Sequence, residues 1–361
     1  MLDNLLTHLA AKADHVADLP ILQSADPFLE TAGEDLRRRM FITESADGAL
    51  QCLRPEFTIP ICLHYASQPG RYAYGGTVFR QGRESGVEFK QVGLEDLGNT
   101  DKITADVASI MDMMNALNAA GMQAPNLTLG DQTLFAELVH ALDMPAALVS
   151  RLERNFGAAD ALERVIDEVA GAARTAQDHA DPAIARMAAS EDVTGLEAAV
   201  MSRMEAGGLS PRSGRSPGDI VARMIEKARA AHFQLASERA EKLRAFLRLE
   251  APLNGATDAL AEFAAQHELN FGKALDDFKA RLEGLEGQGL DLAAHTYRAS
   301  FGRKLEYYTG ILFEVNASGE SVAGGGRYDR LCSLLGAAGP VPAVGFSITL
   351  DRLEKAIGEG A

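Results

Sequence analysis

Apolar and polar residues are arranged in two patterns along this chain: strand-like runs near both ends and helical spacing between them. Residues 40–45 and 49–55 read as two strands, and Asp47-Gly48 between them is typical of a tight hairpin turn. Residues 71–98 hold two further strand-like segments around a glycine-rich connection. The first part of the chain is therefore expected to be rich in antiparallel sheet.

Helical spacing of apolar residues appears in residues 2–17 and 58–66, and again in a longer run that ends before Gly121. Glycine commonly follows the last residue of a helix, so Gly121 is a natural stop. The longer run presents one apolar face, formed by Ile103, Val107, Ile110, Met111, Met114 and Leu117. A short strand is predicted over residues 126–131.

Residues 135–285 have a different character, because Ala, Glu, Arg and Leu dominate them and no run resembles a strand. Within this region residues 207–219 are rich in Gly, Ser and Pro, which predicts a flexible loop. Strand-like segments rich in β-branched and aromatic residues return at 292–301, 305–317 and 341–350.

The two β-rich ends most simply form one antiparallel sheet flanked by helices, which is an α+β fold. We predict a core built from residues 1–130 and 290–361, and a mainly helical insertion region over residues 131–289. Residues 350–357 are expected to form a helix at the end of the core.

Composition narrows the classes of function. The 361 residues carry a formal net charge of −16, which disfavours RNA or DNA as the main partner, since nucleic-acid binders usually present a basic surface. No apolar stretch approaches the roughly 20 residues of a membrane span. The first residues lack the basic head of a secretory signal, so we expect a cytoplasmic protein with no membrane contact.

The usual signatures of catalysis are missing. Cys52, Cys62 and Cys332 form no C-x-x-C pair and the histidines are dispersed, so we predict neither a metal site nor a catalytic nucleophile. The string GGGRYD at residues 324–329 lacks the Lys-Ser or Lys-Thr of a Walker loop and the third glycine of a dinucleotide fingerprint. By itself it indicates a strand or turn that another backbone or a ligand approaches closely.

Four segments taken together resemble histidyl-tRNA synthetases, which are class II aminoacyl-tRNA synthetases. They occur in the family's order and, with LPILQ at residues 19–23, extend the resemblance over both β-rich ends. Their sequences are LRPEFT (53–58), VFRQGRESGVEFKQVGLEDLG (78–98), GRKLEYYTGILFEV (302–315) and GGGRYDRL with AVGFSITLDRL (324–331 and 343–353).

The resemblance implies a histidine-binding pocket. Glu56 and Thr58 match the residues that hold the ammonium of the amino acid, and Arg80 matches an arginine that binds carboxylate and α-phosphate oxygens. Arg303 matches the arginine that takes the place of a metal beside the reacting carboxylate. The remaining matches are a polar pair on the pocket strand and two residues that meet the imidazole, namely Gln91, Glu95, Tyr307 and Tyr308.

The chain also departs from a synthetase. It stops soon after LDRLEK, so no anticodon-binding domain is expected. The segment from Gln81 to Phe89 is shorter than the family's ATP loop, and Thr349 stands where a glycine leaves room for adenine. Phe57 and the segment 304–306 also differ from the family pattern, which affects the shape of the pocket.

These losses resemble a second family, the regulatory subunits of ATP phosphoribosyltransferase. That resemblance implies a non-catalytic protein without cofactors that binds L-histidine and no tRNA. It also implies a homodimer within a hetero-oligomer, a hetero-octamer being one arrangement, with a short-form ATP phosphoribosyltransferase catalytic subunit. The complex would join ATP to phosphoribosyl pyrophosphate in the first step of histidine biosynthesis, under feedback inhibition by histidine. The alternative is a truncated synthetase-like enzyme that activates histidine with ATP.

Overall fold

The structure is a computed structural model that describes residues 1–83, 86–171, 181–206, 217–233, 235–303 and 307–359. Its strands are β1 (His15–Val16), β2 (Leu22–Ser24), β3 (Ile42–Glu44), β4 (Leu50–Leu53), β5 (Gly70–Phe79), β6 (Glu88–Leu97), β7 (Leu127–Asp131), β8 (Glu250–Pro252), β9 (Thr296–Arg298), β10 (Ile311–Ala317), β11 (Glu320–Arg327) and β12 (Ala343–Thr349).

Its helices are α1 (Leu2–Ala10), α2 (Asp26–Thr31), α3 (Glu34–Arg37), α4 (Thr58–Tyr65), α5 (Lys102–Ala119), α6 (Gln132–Ala141), α7 (Ala146–Arg154), α8 (Ala159–Ala170), α9 (Pro182–Ala189), α10 (Val193–Ala206), α11 (Pro217–His232), α12 (Ser237–Leu247), α13 (Leu253–Gln266), α14 (Gly272–Gly287), α15 (Leu331–Leu334) and α16 (Leu350–Glu359). In the part of the chain that the structure describes, no helix combines the length and apolar character needed to cross a bilayer.

The described strands form a nine-stranded sheet, in the order β1-β5-β6-β12-β11-β10-β7-β9-β8, and a three-stranded sheet, in the order β2-β4-β3. Six neighbouring strands of the large sheet, from β5 through β7, pair antiparallel, and helices α1, α5 and α16 pack on them. This confirms the predicted α+β architecture. The β1/β5 and β7/β9 pairs are parallel, which strand-like runs could not reveal because pairing direction depends on tertiary topology.

Local signals explain several elements. The predicted hairpin is β3 and β4, and Gly48 in its turn has φ of +85°, a left-handed conformation that glycine adopts without strain. Asp101 caps α5 by accepting a hydrogen bond from the Thr104 amide at 3.2 Å. All members of the predicted apolar face of this helix except the half-buried Ile103 are buried, which confirms its helical period, and the helix packs on both the sheet and α14.

Other predictions need correction. The first helix ends at Ala10 rather than residue 17, because His15–Val16 joins the sheet as strand β1. Only Thr296–Arg298 of the predicted strand 292–301 is extended. The strand predicted over 305–317 begins at Ile311, and residues 304–306 lie outside the described residues, as does most of the predicted loop at 207–219.

The chain divides into two compact units. The first comprises Met1–Glu137, Phe156–Ala158 and Phe246–Ala361 and contains both sheets. The second comprises Leu138–Asn155 and Ala159–Ala245 and is helical. Helices α13 and α14, which the sequence assigns to the insertion region of residues 131–289, belong to the first unit, because helical period does not reveal which partner a helix packs against.

The second unit has its own apolar core. Apolar residues of α8 recur at helical spacing and are buried. A separate buried cluster joins α9, α10 and α11, with Ile184, Ala188, Leu196, Val200, Met204, Val221 and Ile225 as its buried members.

Candidate functional site

One face of the large sheet forms the floor of a cavity. Side chains alternate along a strand, so Gln91, Gly93 and Glu95 of β6 point to the same face. Their neighbours on β12 and β11 are small, since Glu95 pairs with Gly345 and Gly345 pairs with Gly326. The absence of side chains in this row lets larger groups lie across the sheet.

The cavity has a volume of about 480 Å³ and lies within the first unit. All eight predicted site residues line it, although they come from four separate parts of the sequence. They are Glu56, Thr58, Arg80, Gln91, Glu95, Arg303, Tyr307 and Tyr308. The fold therefore gathers the predicted set in one place, and the binding role of these residues remains a prediction.

Glu56 and Thr58 lie at the start of α4. The Glu56 carboxylate accepts hydrogen bonds from the backbone amides of Thr58 at 2.7 Å and Ile59 at 2.8 Å, so it caps the helix. Burial raises the pKa of Glu56, while these amides and the charge of Arg80 oppose that rise. This carboxylate is held rigidly at the cavity wall.

Glu95 is the second buried carboxyl group of the cavity, with 1% of its surface exposed. Its Oε1 accepts a hydrogen bond from the Thr58 hydroxyl at 2.7 Å, and its Oε2 accepts one from the Tyr328 hydroxyl. Burial raises the pKa of Glu95 to about 8, the two hydroxyls lower it, and nearby Glu56 raises it. The free cavity therefore tends to keep a proton on Glu95 at neutral pH.

Two guanidinium groups supply positive charge. Arg80 donates from Nε to the carbonyl of Pro55 at 2.7 Å, and burial lowers its pKa to about 10 despite the attraction of Glu56. Arg303 Nη1 lies 3.3 Å from Glu314 Oε2, yet it is buried without a hydrogen bond among the described residues. An unsatisfied guanidinium N–H in a cavity is a favourable position for an anionic ligand group.

Aromatic side chains enclose the carboxyl groups. The rings of Tyr307 and Tyr308 have centroids 4.9 Å apart, and both are buried. Phe57 stacks on Tyr74 at 4.5 Å and lies under the guanidinium of Arg54 at 3.9 Å. Phe57, which departs from the synthetase pattern, is thus a packed part of the cavity wall.

Two glycines have a steric role at the floor, Gly324 of the GGGRYD string and Gly345 of β12. A methyl group on Gly324 would overlap the guanidinium of Arg303, and one on Gly345 would overlap the Glu95 carboxylate. The close approach indicated by GGGRYD is therefore made by other parts of this same chain, with a side chain at Gly324 and the backbone of Gly345 at Gly325. Arg327 of that string points to the opposite face, where Asp106 of α5 accepts from its Nη2 at 2.6 Å.

Replacing Gly324 with alanine is expected to lower the free energy of unfolding by about 1–3 kcal/mol, because the added methyl forces Arg303 out of its place. Thermal or denaturant unfolding measures the loss. Gly255→Ala in α13 is a matched control, since no atom lies within 4 Å of the added methyl, and it should stabilise by about 0.5–1 kcal/mol. Equal effects of both substitutions would contradict the steric role of Gly324.

The residues at the positions where synthetases bind ATP make different contacts in this chain. Thr349 is buried and lines the cavity together with Arg352, whose Nη1 donates to the carbonyl of Ser321 at 2.8 Å. Arg83 instead bonds Asp351 at 2.8 Å, with its guanidinium 3.5 Å from the centroid of the Phe89 ring. Position 84 and the segment 304–306 lie outside the described residues.

Sequence reasoning missed several residues of the cavity, among them Tyr74, Tyr328 and Glu314. Tyr328 stands inside the GGGRYD string, so its motif was available as a signal, but its contact with Glu95 spans 233 positions. Glu314 accepts hydrogen bonds from Ser321 at 2.7 Å and Asn316 at 2.9 Å, which fixes it beside Arg303. In the described residues no group of three or more His, Cys, Asp or Glu could hold a metal ion.

Comparison with solved structures identifies the fold. The chain superimposes on an ATP phosphoribosyltransferase regulatory subunit/histidyl-tRNA synthetase from Bacillus halodurans with a TM-score of 0.66 and 21% identity, covering 99% of this chain and 78% of that one. Histidyl-tRNA synthetase from Nostoc gives a TM-score of 0.63 at 14% identity, covering 99% and 71%. The class II synthetase-like fold expected from the sequence is thus confirmed.

Comparison of sequences identifies the family. A family model described as histidyl-tRNA synthetase matches residues 15–208 and 217–353. The ATP phosphoribosyltransferase regulatory subunit of Mesorhizobium japonicum is 46% identical over 359 residues, covering 97% of this chain and 95% of the relative. That of Allorhizobium ampelinum is 47% identical, covering 98% and 96%. The chain therefore belongs to the ATP phosphoribosyltransferase regulatory subunits, a family with the histidyl-tRNA synthetase fold.

Proposed function

We propose that this chain is the non-catalytic regulatory subunit of an ATP phosphoribosyltransferase that performs the first step of L-histidine biosynthesis. The observation that carries the proposal is 42–47% identity, over nearly the whole chain, to relatives with that name. Its partner is a short-form catalytic subunit, which this chain joins as a homodimer within a hetero-oligomer. Activity resides in the partner, and this chain makes it responsive to histidine.

The cavity is proposed to bind the effector. Free histidine is a zwitterion, so its site must offer both charges at a short distance. Glu56 and Thr58 are assigned to its ammonium group, and Arg80 and Arg303 to its carboxylate. Gln91 and Glu95 supply polar contacts from β6, while Tyr307 and Tyr308 are assigned to the imidazole. The burial of both acids and the unsatisfied N–H of Arg303 support this assignment.

Feedback inhibition is then a coupling free energy between this cavity and the active site of the partner. Histidine shifts the complex only by its differential affinity for the active and inhibited states, and a coupling of about 1–3 kcal/mol is typical of such systems. A ligand that orders the cavity's charged groups in one state only would produce this difference.

Isothermal calorimetry with histidine on wild-type protein and Glu56→Ala tests the site. The variant is expected to bind at least tenfold more weakly, because one buried acceptor of the ammonium is lost. Since Glu56 also caps α4, Glu56→Gln serves as a second variant that keeps an acceptor for the amides of Thr58 and Ile59 but removes the charge. Equal affinity in all three proteins would place the effector site elsewhere, for example at a subunit interface.

The alternative of an aminoacylating enzyme has one supporting observation, which is that Arg80, Arg303 and Arg352 all line the cavity. Pyrophosphate exchange with histidine and ATP separates the two functions. Turnover by the purified chain would support the enzyme. Its absence, together with histidine-sensitive stimulation of a short phosphoribosyltransferase, would support the regulatory subunit.

A further inference from the structure

The hydroxyl of Tyr328 makes a polar contact at the cavity floor that involves a residue outside the assigned ligand-binding set. It donates to Oε2 of Glu95, while Thr58 donates to Oε1 from the start of α4. The Glu95 carboxylate is thus held between two hydroxyls that come from opposite ends of the chain. Gly345 leaves the space that this carboxylate occupies.

Tyr328 is itself held firmly. Its backbone amide donates to the carbonyl of Ala343 at 2.8 Å, and its ring meets the ring of Tyr307 edge-on at 5.8 Å. Only 1% of its surface is exposed. A tyrosine fixed at both its backbone and its ring presents its hydroxyl in one direction, so it defines the rotamer of the group that it bonds.

The contact also affects the pKa of Glu95. Hydroxyl donors favour the ionised carboxyl group, and the pKa of Glu95 is lowered by Tyr328 and Thr58 against the larger opposing effect of burial. The groups that face Glu95 from the surrounding elements are Glu56, Cys62, Tyr74, Tyr307, Tyr308 and Tyr328. Because burial raises the pKa of Cys62 and of these tyrosines above their ordinary alkaline values, Glu95, with a pKa of about 8, is the member of this set whose titration the pH range of the test follows.

We propose that Tyr328 is a positioning residue whose hydroxyl holds the Glu95 carboxyl group at the cavity floor, in the orientation that receives an amino-acid ligand. The proposal rests on the function proposed for the cavity. It assigns a role to the tyrosine of the GGGRYD string that is separate from the steric role of its glycines. Tyr328 acts through Glu95, and the ligand contact belongs to Glu95.

Tyr328→Phe is the direct test, because it removes only the hydroxyl. The matched control is Tyr297→Phe, since Tyr297 is also fully buried but its hydroxyl has no hydrogen-bond partner among the described residues. The first measurement needs no ligand. Unfolding free energy is recorded from pH 5 to pH 9 for wild type and both variants, in order to follow the titration of Glu95.

Loss of the hydroxyl is expected to move the titration of Glu95 to higher pH in Tyr328→Phe alone. A purely structural role would instead lower stability by the same amount at every pH. A pH profile parallel to that of wild type would therefore overturn the proposal, whatever the protein binds.

The second measurement is calorimetric titration with L-histidine. Tyr328→Phe is expected to weaken binding by about tenfold to a hundredfold, and Tyr297→Phe to leave it unchanged. In a Glu95→Gln background the same tyrosine substitution should change affinity by less than about threefold, because its partner charge is already gone. An undiminished loss in that background would also overturn the proposal. Wild-type protein that binds no histidine would overturn the proposed function of the cavity, and with it the claim that Tyr328 sets ligand affinity.

Discussion

Replacing Asp106 with alanine is expected to lower the free energy of unfolding by about 3–5 kcal/mol. Asp106 lies on α5 and is fully buried. Its Oδ1 accepts hydrogen bonds from Arg327 Nε at 2.9 Å and Nη2 at 2.6 Å, and its Oδ2 accepts one from Arg281 Nε at 2.7 Å. Nη1 of Arg281 also lies 3.4 Å from Oδ2 of Asp131. One carboxylate thus bonds two buried cations.

The size of the loss follows from what alanine leaves behind. The side chains of Arg327 and Arg281 are only 4% and 6% exposed, so water cannot replace the missing carboxylate without opening the core. Asp329 and Asp131 still contact one arginine each, which limits the loss. Because β11 holds the cavity-lining Gly324 and Tyr328 follows its last residue, the substitution should also disturb the candidate site.

Denaturant unfolding measures this prediction. Asp277→Ala is the matched control, because Asp277 pairs with Lys273 on the same helix as Arg281, but the lysine is 84% exposed. Surface pairs of this kind contribute about 0–1 kcal/mol. If Asp106→Ala cost no more than Asp277→Ala, the buried network would not be a major source of stability.

Glu95 should make stability fall as the solution becomes alkaline. Its pKa is raised from 4.5 to about 8 in the folded protein, chiefly by burial. Between these values the folded state keeps a proton that the unfolded state has released. Stability due to this group is therefore fully present below about pH 4.5 and is lost as pH rises through about 8.

Substitution by glutamine isolates this contribution. The glutamine side chain cannot ionise. The free energy of unfolding of Glu95→Gln should therefore rise relative to that of wild type as pH increases from 5 to 9, by roughly 4 kcal/mol over the whole interval. Unfolding free energies of both proteins across that range provide the test, with the exposed Glu286→Gln as control. A constant difference between wild type and Glu95→Gln at every pH would show that Glu95 is already ionised in the folded protein.

Much of the site could be predicted because its parts are local strings. The helix predicted over 58–66 begins at Thr58 and follows Glu56 directly after one residue, and the run around Gln91 and Glu95 is a strand whose alternate residues share a face. The glycine string indicated close approach before any neighbour was known. Resemblance to a known family supplied the association between these strings, and the fold then placed all eight residues around one cavity.

The contacts between residues that are distant in sequence could not be predicted. Nothing near Gly324 in sequence shows that Arg303 crosses it, and nothing near Tyr328 shows that it bonds Glu95. Arg327 is the clearest example, because it directly follows three glycines of the same string, yet the alternation of β11 turns it away from the cavity and toward α5. Likewise, helical period identified α13 and α14 without showing that they belong to the first unit.

The sequence by itself determined most of the element types, the hairpin at Gly48, the family and eight of the residues around the cavity. These depend on short-range periodicity, turn stereochemistry and strings of neighbouring residues. Only the tertiary structure decided the directions of strand pairing, the raised pKa of Glu95 and the contact between the Tyr328 hydroxyl and the Glu95 carboxyl group. Those properties arise from burial and from contacts between distant segments, and both exist only once the chain has folded.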